Sequence, residues 1–371
     1  MAESCPRKTR ERKLSLLLPL TACLLLAGMV WVGFKTTEVQ RDDNLLIAAL
    51  QSPNPVLLRA ALDQGADPNA LLPPVPSPGR FGMAPQWLDL LLHPHRGRPV
   101  LMDAIYKGNL QCVPLLLSRG ASPNSRDNQG DTPLMAAVCQ GNLQCIQLLL
   151  SRGALPNSRD MAGETPLMMA TADDDHFPQR QIQIMQMLLS KGADVNAVDF
   201  EGGTVLSHAV KYTTLDGRID LTIPRFLLTH GAKADVGEQP FTGGTLLVWC
   251  VKSRTSNSVP LMNLLLEHGA NPNQTDGTSW TILQRASQSI TPAIVKSLLD
   301  HGANPNGQSS TYYMTPLMEA VDQEQIGTIK LLLAKGADVN GDGSAGTVLS
   351  IAARHNRDDI VKLLGQAAKP K

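Results

Sequence analysis

The sequence predicts an all-α solenoid, a row of short helix-turn-helix modules joined by polar loops, and three recurrences point there. A Gly-Ala pair closes an apolar helical stretch at Gly65, Gly120, Gly153, Gly192, Gly231, Gly269, Gly302 and Gly336, with spacings of 55, 33, 39, 39, 38, 33 and 34 residues. An Asn stands four residues after that Gly at Asn69, Asn124, Asn157, Asn196, Asn273, Asn306 and Asn340, and Asp235 takes the place once. Thr-Pro-Leu opens modules at Thr132-Pro133-Leu134, Thr165-Pro166-Leu167 and Thr315-Pro316-Leu317, with variants lacking Pro at Thr204, Thr245, Thr281 and Thr347. A fixed period near 33 marks repeated supersecondary units that cannot bury their apolar faces alone and must stack on copies.

Residues 131–157 illustrate the module. Thr132 can cap free backbone N–H groups, and Pro133 fits the first helical position, where no N–H is needed. Leu134, Met135, Ala137 and Val138 follow at helical spacing. Gly141 can adopt the left-handed conformation that ends a helix, and Asn142 can cap the next one. Leu143, Ile146, Leu149 and Leu150 form the apolar stripe of the second helix, which Gly153-Ala154 closes. The same closure is read at Gly192-Ala193 and Gly336-Ala337.

Taken in order, the chain divides into a basic tail (1–13), an uncharged stretch (14–34), a linker (35–42), the repeats (43–366) and a short tail (367–371). About nine modules are counted. The first, from Asp43 to Ala70, lacks the Thr-Pro-Leu start, as terminal repeats often do. Proline-rich residues 71–98 interrupt the period, with one short helix expected at Gln86–Leu92, and regular modules resume at Pro99. From motif Thr to repeat Gly there are 21 residues in 132–153 but 27 in 165–192, 27 in 204–231 and 24 in 245–269. The excess is placed between the two helices, at 171–181, 212–221 and 253–259. Three consecutive long connections on one edge read either as a binding edge or as tolerated loop drift.

As a helix, the 21 uncharged residues 14–34 span about 31 Å, the thickness of a bilayer core. Five Lys and Arg precede them, and only Lys35 and Arg41 follow within residues 35–43. An uncleaved signal anchor is expected, with the N-terminus cytoplasmic and the repeats outside, periplasmic or lumenal. A cleaved signal peptide, a lipoprotein box at Leu20-Thr21-Ala22-Cys23, and an inverted topology remain alternatives. Cys112 and Cys145 fall eight residues before the repeat Gly and read as buried core residues, and Cys139 and Cys250 are assigned to helix packing.

The segments TPLMAA, QGNLQCIQLLLSRGA and GADVNA make the chain, from about 43 to 366, resemble the ankyrin-repeat family. The resemblance implies a helical solenoid whose modules are joined by β-hairpin loops, and protein-protein interaction; it assigns no reaction, because that family shares a shape. It also implies that the hairpins between modules are contact tips. These offer Asn128, Gln129 and Asp131; Asp160, Met161 and Glu164; and Asp199, Phe200 and Glu201. His208 is given the place of the family motif's His, a structural role. His230, His268 and His301 precede the repeat Gly, where an imidazole can meet free helix carbonyls.

A formal net charge of zero gives no field favouring nucleic acid. Asp173-Asp174-Asp175-His176 and His93-Pro94-His95 lack metal-ligand spacing. No nucleophile elbow, phosphate loop, zinc-binding helix pair or dinucleotide fingerprint is present. The sequence therefore predicts no enzyme, no cofactor, no nucleic acid and no small-molecule substrate. The expected partners are another protein and, through 14–34, a membrane.

Overall fold

The structure is a computed structural model that describes residues 46, 48–50, 55–72, 97–172, 178–212, 220–235, 244–253, 256–278, 280–288, 291–307, 314–343 and 346–368. Helical residues at Leu46 and 48–50 precede α1 (Pro55–Asp63). Eight further helix pairs follow: α2 (Val100–Tyr106) with α3 (Cys112–Ser118), α4 (Pro133–Cys139) with α5 (Leu143–Ser151), and α6 (Pro166–Met169) with α7 (Pro178–Ser190). Next come α8 (Val205–Tyr212) and α9 (Thr222–Thr229), then α10 (Leu246–Lys252) and α11 (Val259–Glu267). The last are α12 (Ile282–Ser287) and α13 (Pro292–Asp300), α14 (Pro316–Asp322) and α15 (Ile326–Ala334), and α16 (Val348–Arg354) and α17 (Asp358–Ala367).

The chain forms two units, one ending at Gln140 but including Ser151–Ala154, the other made of Gly141–Leu150 and everything from Leu155 on. In the first unit, α1 packs on α3 and α2 on α4. In the second, α6 packs on α8, α7 on α9, α10 on α12, α11 on α13, α12 on α14, α13 on α15 and α14 on α16. Equivalent helices therefore neighbour one another serially, the contact pattern of a repeat stack.

Local chemistry sets each boundary. Thr132, Thr165 and Thr315 are N-caps in extended backbone, each accepting from the N–H three residues on, with Pro first in the helix. Thr245, Thr281 and Thr347 cap in the same way without Pro. At the other end Gly192 has φ +84°, a conformation costly for any residue with a Cβ. The N–H of Ala193 then bonds back to the carbonyl of Leu188 at 3.1 Å, closing a Schellman turn. Ala193 is itself buried, so the pair both stops the helix and seats the next loop.

The core is Leu, Ile, Val, Met and Ala. Pro316 through Val321 are all buried, because α12, α15 and α16 surround α14. Second helices bury one stripe: in α5 it is Cys145, Ile146, Leu149 and Leu150, and the predicted Leu143 is only half-buried. Cys112, Cys145 and Cys250 are buried, and burial pushes all three thiols up. Cys139, assigned to packing from sequence, is exposed instead, since it falls at the last turn of α4.

Two insertions sit differently from the sequence reading. Leu71–Leu72 (β1) pairs antiparallel with Arg98–Pro99 (β2), so the two ends of the 71–98 interruption are joined. The expected helix at Gln86–Leu92 lies outside the described residues. The long connection at 171–181 is partly helix: α7 starts at Pro178 and runs 13 residues, against nine in α5, while α6 has only four. Residues 256–258 of the 253–259 connection form a 3-10 turn. The middle of 171–181 and most of 212–221 lie outside the described residues, as do 14–34, Asp173–His176 and His93–His95. Among the described residues no helix is long and apolar enough to cross a membrane.

Candidate functional site

The inter-module hairpins are built by one device. Asp127 Oδ1 accepts from the N–H of Gln129 at 2.9 Å and of Asp131 at 3.0 Å. Asp160 Oδ1 accepts from Ala162 and Glu164, Asp199 Oδ1 from Glu201 and Gly203, and Asp276 Oδ1 from Thr278 and Trp280. A short carboxylate thus replaces backbone partners in a tight loop, as Asp does in Asx turns. The reasoning from sequence missed Asp127 and Asp276. The signal was there: in these four hairpins an Asp stands five residues before the motif Thr.

This device divides the candidate contact residues. Asn128, Gln129 and Glu201 are exposed, and Met161 and Phe200 are each 71% exposed. Asp131 is half-buried, and its N–H and carbonyl both bond to Asp127. The Asp160 and Asp199 carboxylates hold their own loops, a turn-forming role that the sequence reading did not assign them. The Asp199 side chain is only 8% exposed.

The Asp199 carboxylate has a second partner. Its Oδ2 lies 2.7 Å from Nε2 of His208, itself buried, and His208 Nδ1 is 4.0 Å from Glu164 Oε1. Burial pushes the Glu164 carboxyl above the usual range, against the pull of His208. His208 is not in the motif position assigned from sequence. The fourth motif residue is Ser207, whose Oγ accepts from the N–H of Thr204 at 2.8 Å. His208 is one place further, nine residues after the hairpin Asp. In a later module that place is held by Arg285, which pairs with Asp276 Oδ2 at 2.7 Å and lies 4.7 Å from the centre of the Trp280 ring. Burial raises the Asp276 carboxyl, but bonds from Thr278 and Arg285 outweigh it and hold it below the usual range.

Adjacent hairpins 160–164 and 199–203 are tied together. The N–H of Phe200 donates to the carbonyl of Ala162 at 3.0 Å. Arg159 Nη1 donates to the carbonyls of Gly163 at 3.0 Å and Val198 at 2.5 Å. The Phe200 ring lies against Gly163, where a Cβ would come within 2.8 Å of it. Of the histidines before the repeat Gly, His230 Nδ1 meets the carbonyl of Phe226 and His301 Nδ1 that of Ser297, both at 2.8 Å.

Among the described residues no group of three or more His, Cys, Asp and Glu side chains could hold a metal ion. A shallow depression on α9, lined by Asp220, Leu221, Thr222, Arg225, Phe226 and Thr229, includes none of the hairpin residues.

The family model for ankyrin repeats (3 copies) matches residues 45–160, 101–199, 177–276, 206–309 and 283–371. Among solved structures, the ankyrin repeat domain of Bcl-3, titled a unique member of the IkappaB protein family, is similar with a TM-score of 0.52 and 27% identity. That similarity covers 64% of this chain and 99% of the Bcl-3 chain. No curated protein matches the chain.

Proposed function

The chain belongs to the ankyrin-repeat family, and on that premise we propose that it is a non-enzymatic scaffold that binds another protein through its hairpin tips. The observation that carries this reading is the pair Met161 and Phe200, each 71% exposed on hairpins that hydrogen-bond to each other. Large apolar side chains held out on an ordered backbone are what an interface anchor requires, because little further ordering is needed on binding. The hydrogen-bonded turns formed by Asp160 and Asp199 supply that order. The family resemblance supports the same reading.

The reading extends to the N-terminus. The uncharged stretch 14–34 and its basic flank support a membrane anchor that leaves the repeats on the periplasmic or lumenal side. Cleavage within or after that stretch would instead give an exported or lipid-attached soluble modulator of an enzyme outside the cytoplasm. An alkaline phosphatase fusion after Arg41 should be active, and N-terminal sequencing should begin near Met1. An inactive fusion places the repeats in the cytoplasm, and a start beyond residue 20 indicates cleavage. Affinity capture with the full chain should recover a protein that a Met161→Ala/Phe200→Ala chain loses. Equal recovery by both would remove the hairpin tips from the account.

A further inference from the structure

We propose that the paired hairpins 160–164 and 199–203 dock a cationic segment of the partner, one with a bulky apolar side chain next to its Lys or Arg residues. This rests on the scaffold reading above and adds the chemistry of what is bound.

The apolar half of the argument is Met161 and Phe200. They stand on two hairpins that the Phe200–Ala162 bond and Arg159 hold in register. Phe200 rests on Gly163 and still exposes most of its ring. A flexible thioether on one hairpin and an aromatic face on the hairpin tied to it accommodate many apolar shapes, and an aromatic face attracts a guanidinium or ammonium group.

The charged half is the sign of the surroundings. Residues 160–164 and 199–203 carry Asp160, Glu164, Asp199 and Glu201 and contain no Lys or Arg. Of the basic side chains close by, Arg159 donates to backbone carbonyls and His208 faces Asp199. Lys211 on α8 offsets Glu164 in part. Glu201 is exposed beside Phe200, and Asp160 and Glu164 are half-buried beside Met161. Three carboxylates that are half-buried or exposed, Asp160, Glu164 and Glu201, stand against Arg159 and Lys211, so the sign presented to a partner is negative around an apolar centre. Such a surface favours a cationic segment and disfavours an acidic one through like-charge repulsion.

Random short peptides displayed on phage and selected on the full chain provide the test. Enriched peptides should carry net positive charge with an aromatic or large aliphatic residue near the charges. Synthetic copies should lose about tenfold or more in affinity for Met161→Ala/Phe200→Ala. Affinity should also fall for Glu201→Lys and with rising salt, because the pairing is exposed. All three positions are surface ones, and unchanged melting curves will show that the variants fold. Acidic or neutral enriched peptides, affinity unmoved by these variants, or no enrichment at all would overturn the proposal. A captured partner that is itself acidic would also overturn it while leaving the scaffold reading intact. Failure of partner capture altogether is what would sink the scaffold reading.

Discussion

The side-chain amide of Asn157 donates to the carbonyl of Gly192, 35 residues later, at 2.8 Å, while its Oδ1 accepts from the N–H of Asp194 at 2.8 Å. One Asn thus satisfies the end of the next module's helix and the start of its loop. Asn69, Asn196, Asn273 and Asn306 make the same pair of bonds to their following modules. Asp235 makes only the accepting half, with both oxygens near the N–H of Asn271. Asn157→Ala should cost about 1–3 kcal/mol, two hydrogen bonds at the usual net value. Asp235→Asn should gain roughly 0.5–1 kcal/mol by adding a donor for Gly269. Urea unfolding checks both signs; a destabilised Asp235→Asn would mean that the carboxylate's charge matters more than the missing donor.

His208→Ala should destabilise by about 1–3 kcal/mol, since it leaves the Asp199 carboxylate buried with only its two backbone donors. Asp199→Asn keeps an oxygen for those donors and removes the charge. The double variant should therefore lose less than the sum of the single ones, as coupled neighbours do. Additive losses in a double-mutant cycle would show that the two residues act separately.

Leu149 is fully buried in α5. Leu149→Ala should cost about 2–5 kcal/mol, the range for leaving a cavity in a packed core. A loss under ~0.5 kcal/mol, typical of a surface site, would mean that the face of α5 is wrongly assigned.

Glu319 is buried at 3% exposure, and its Oε2 accepts from Gln288 Nε2 at 3.0 Å. Burial, aided by Asp322, raises its carboxyl above the usual range, while Gln288 and Arg285 oppose the shift. The folded chain therefore holds this proton more tightly than the unfolded chain. Its stabilising share is full below the unfolded value and disappears as pH rises through the raised folded value. Glu319→Gln should leave stability unchanged in acid and raise the melting temperature by roughly 1–3 °C at neutral pH. Thermal melts at both pH values check this; a variant less stable at neutral pH would show that the charge is needed.

What could be read from sequence was what depends on near neighbours in the chain. Thr132 with Pro133, and Gly192 with Ala193, act within one helical turn, so their spacing displayed the modules directly. The hairpin Asp residues were harder to read. Asp160 and Asp199 sit in polar loops and read as contacts, and their turn-forming role shows only where the backbone donors converge on them. His208 was placed one residue off because its neighbour Ser207 performs the capping at the fourth motif position. Pro178 was read as part of a connection, although Pro at a first helical position also starts a helix. The pairing of Leu71–Leu72 with Arg98–Pro99 joins residues across the whole insertion, which no local pattern reveals.

The decisive measurement is calorimetric titration of the captured partner against the natural chain and against Met161→Ala/Phe200→Ala. Binding through the hairpin tips predicts about a tenfold or greater loss of affinity, with unchanged melting of the variant. Equal affinity for both chains, or chemical turnover of the partner during the titration, would contradict a scaffold that binds through these tips.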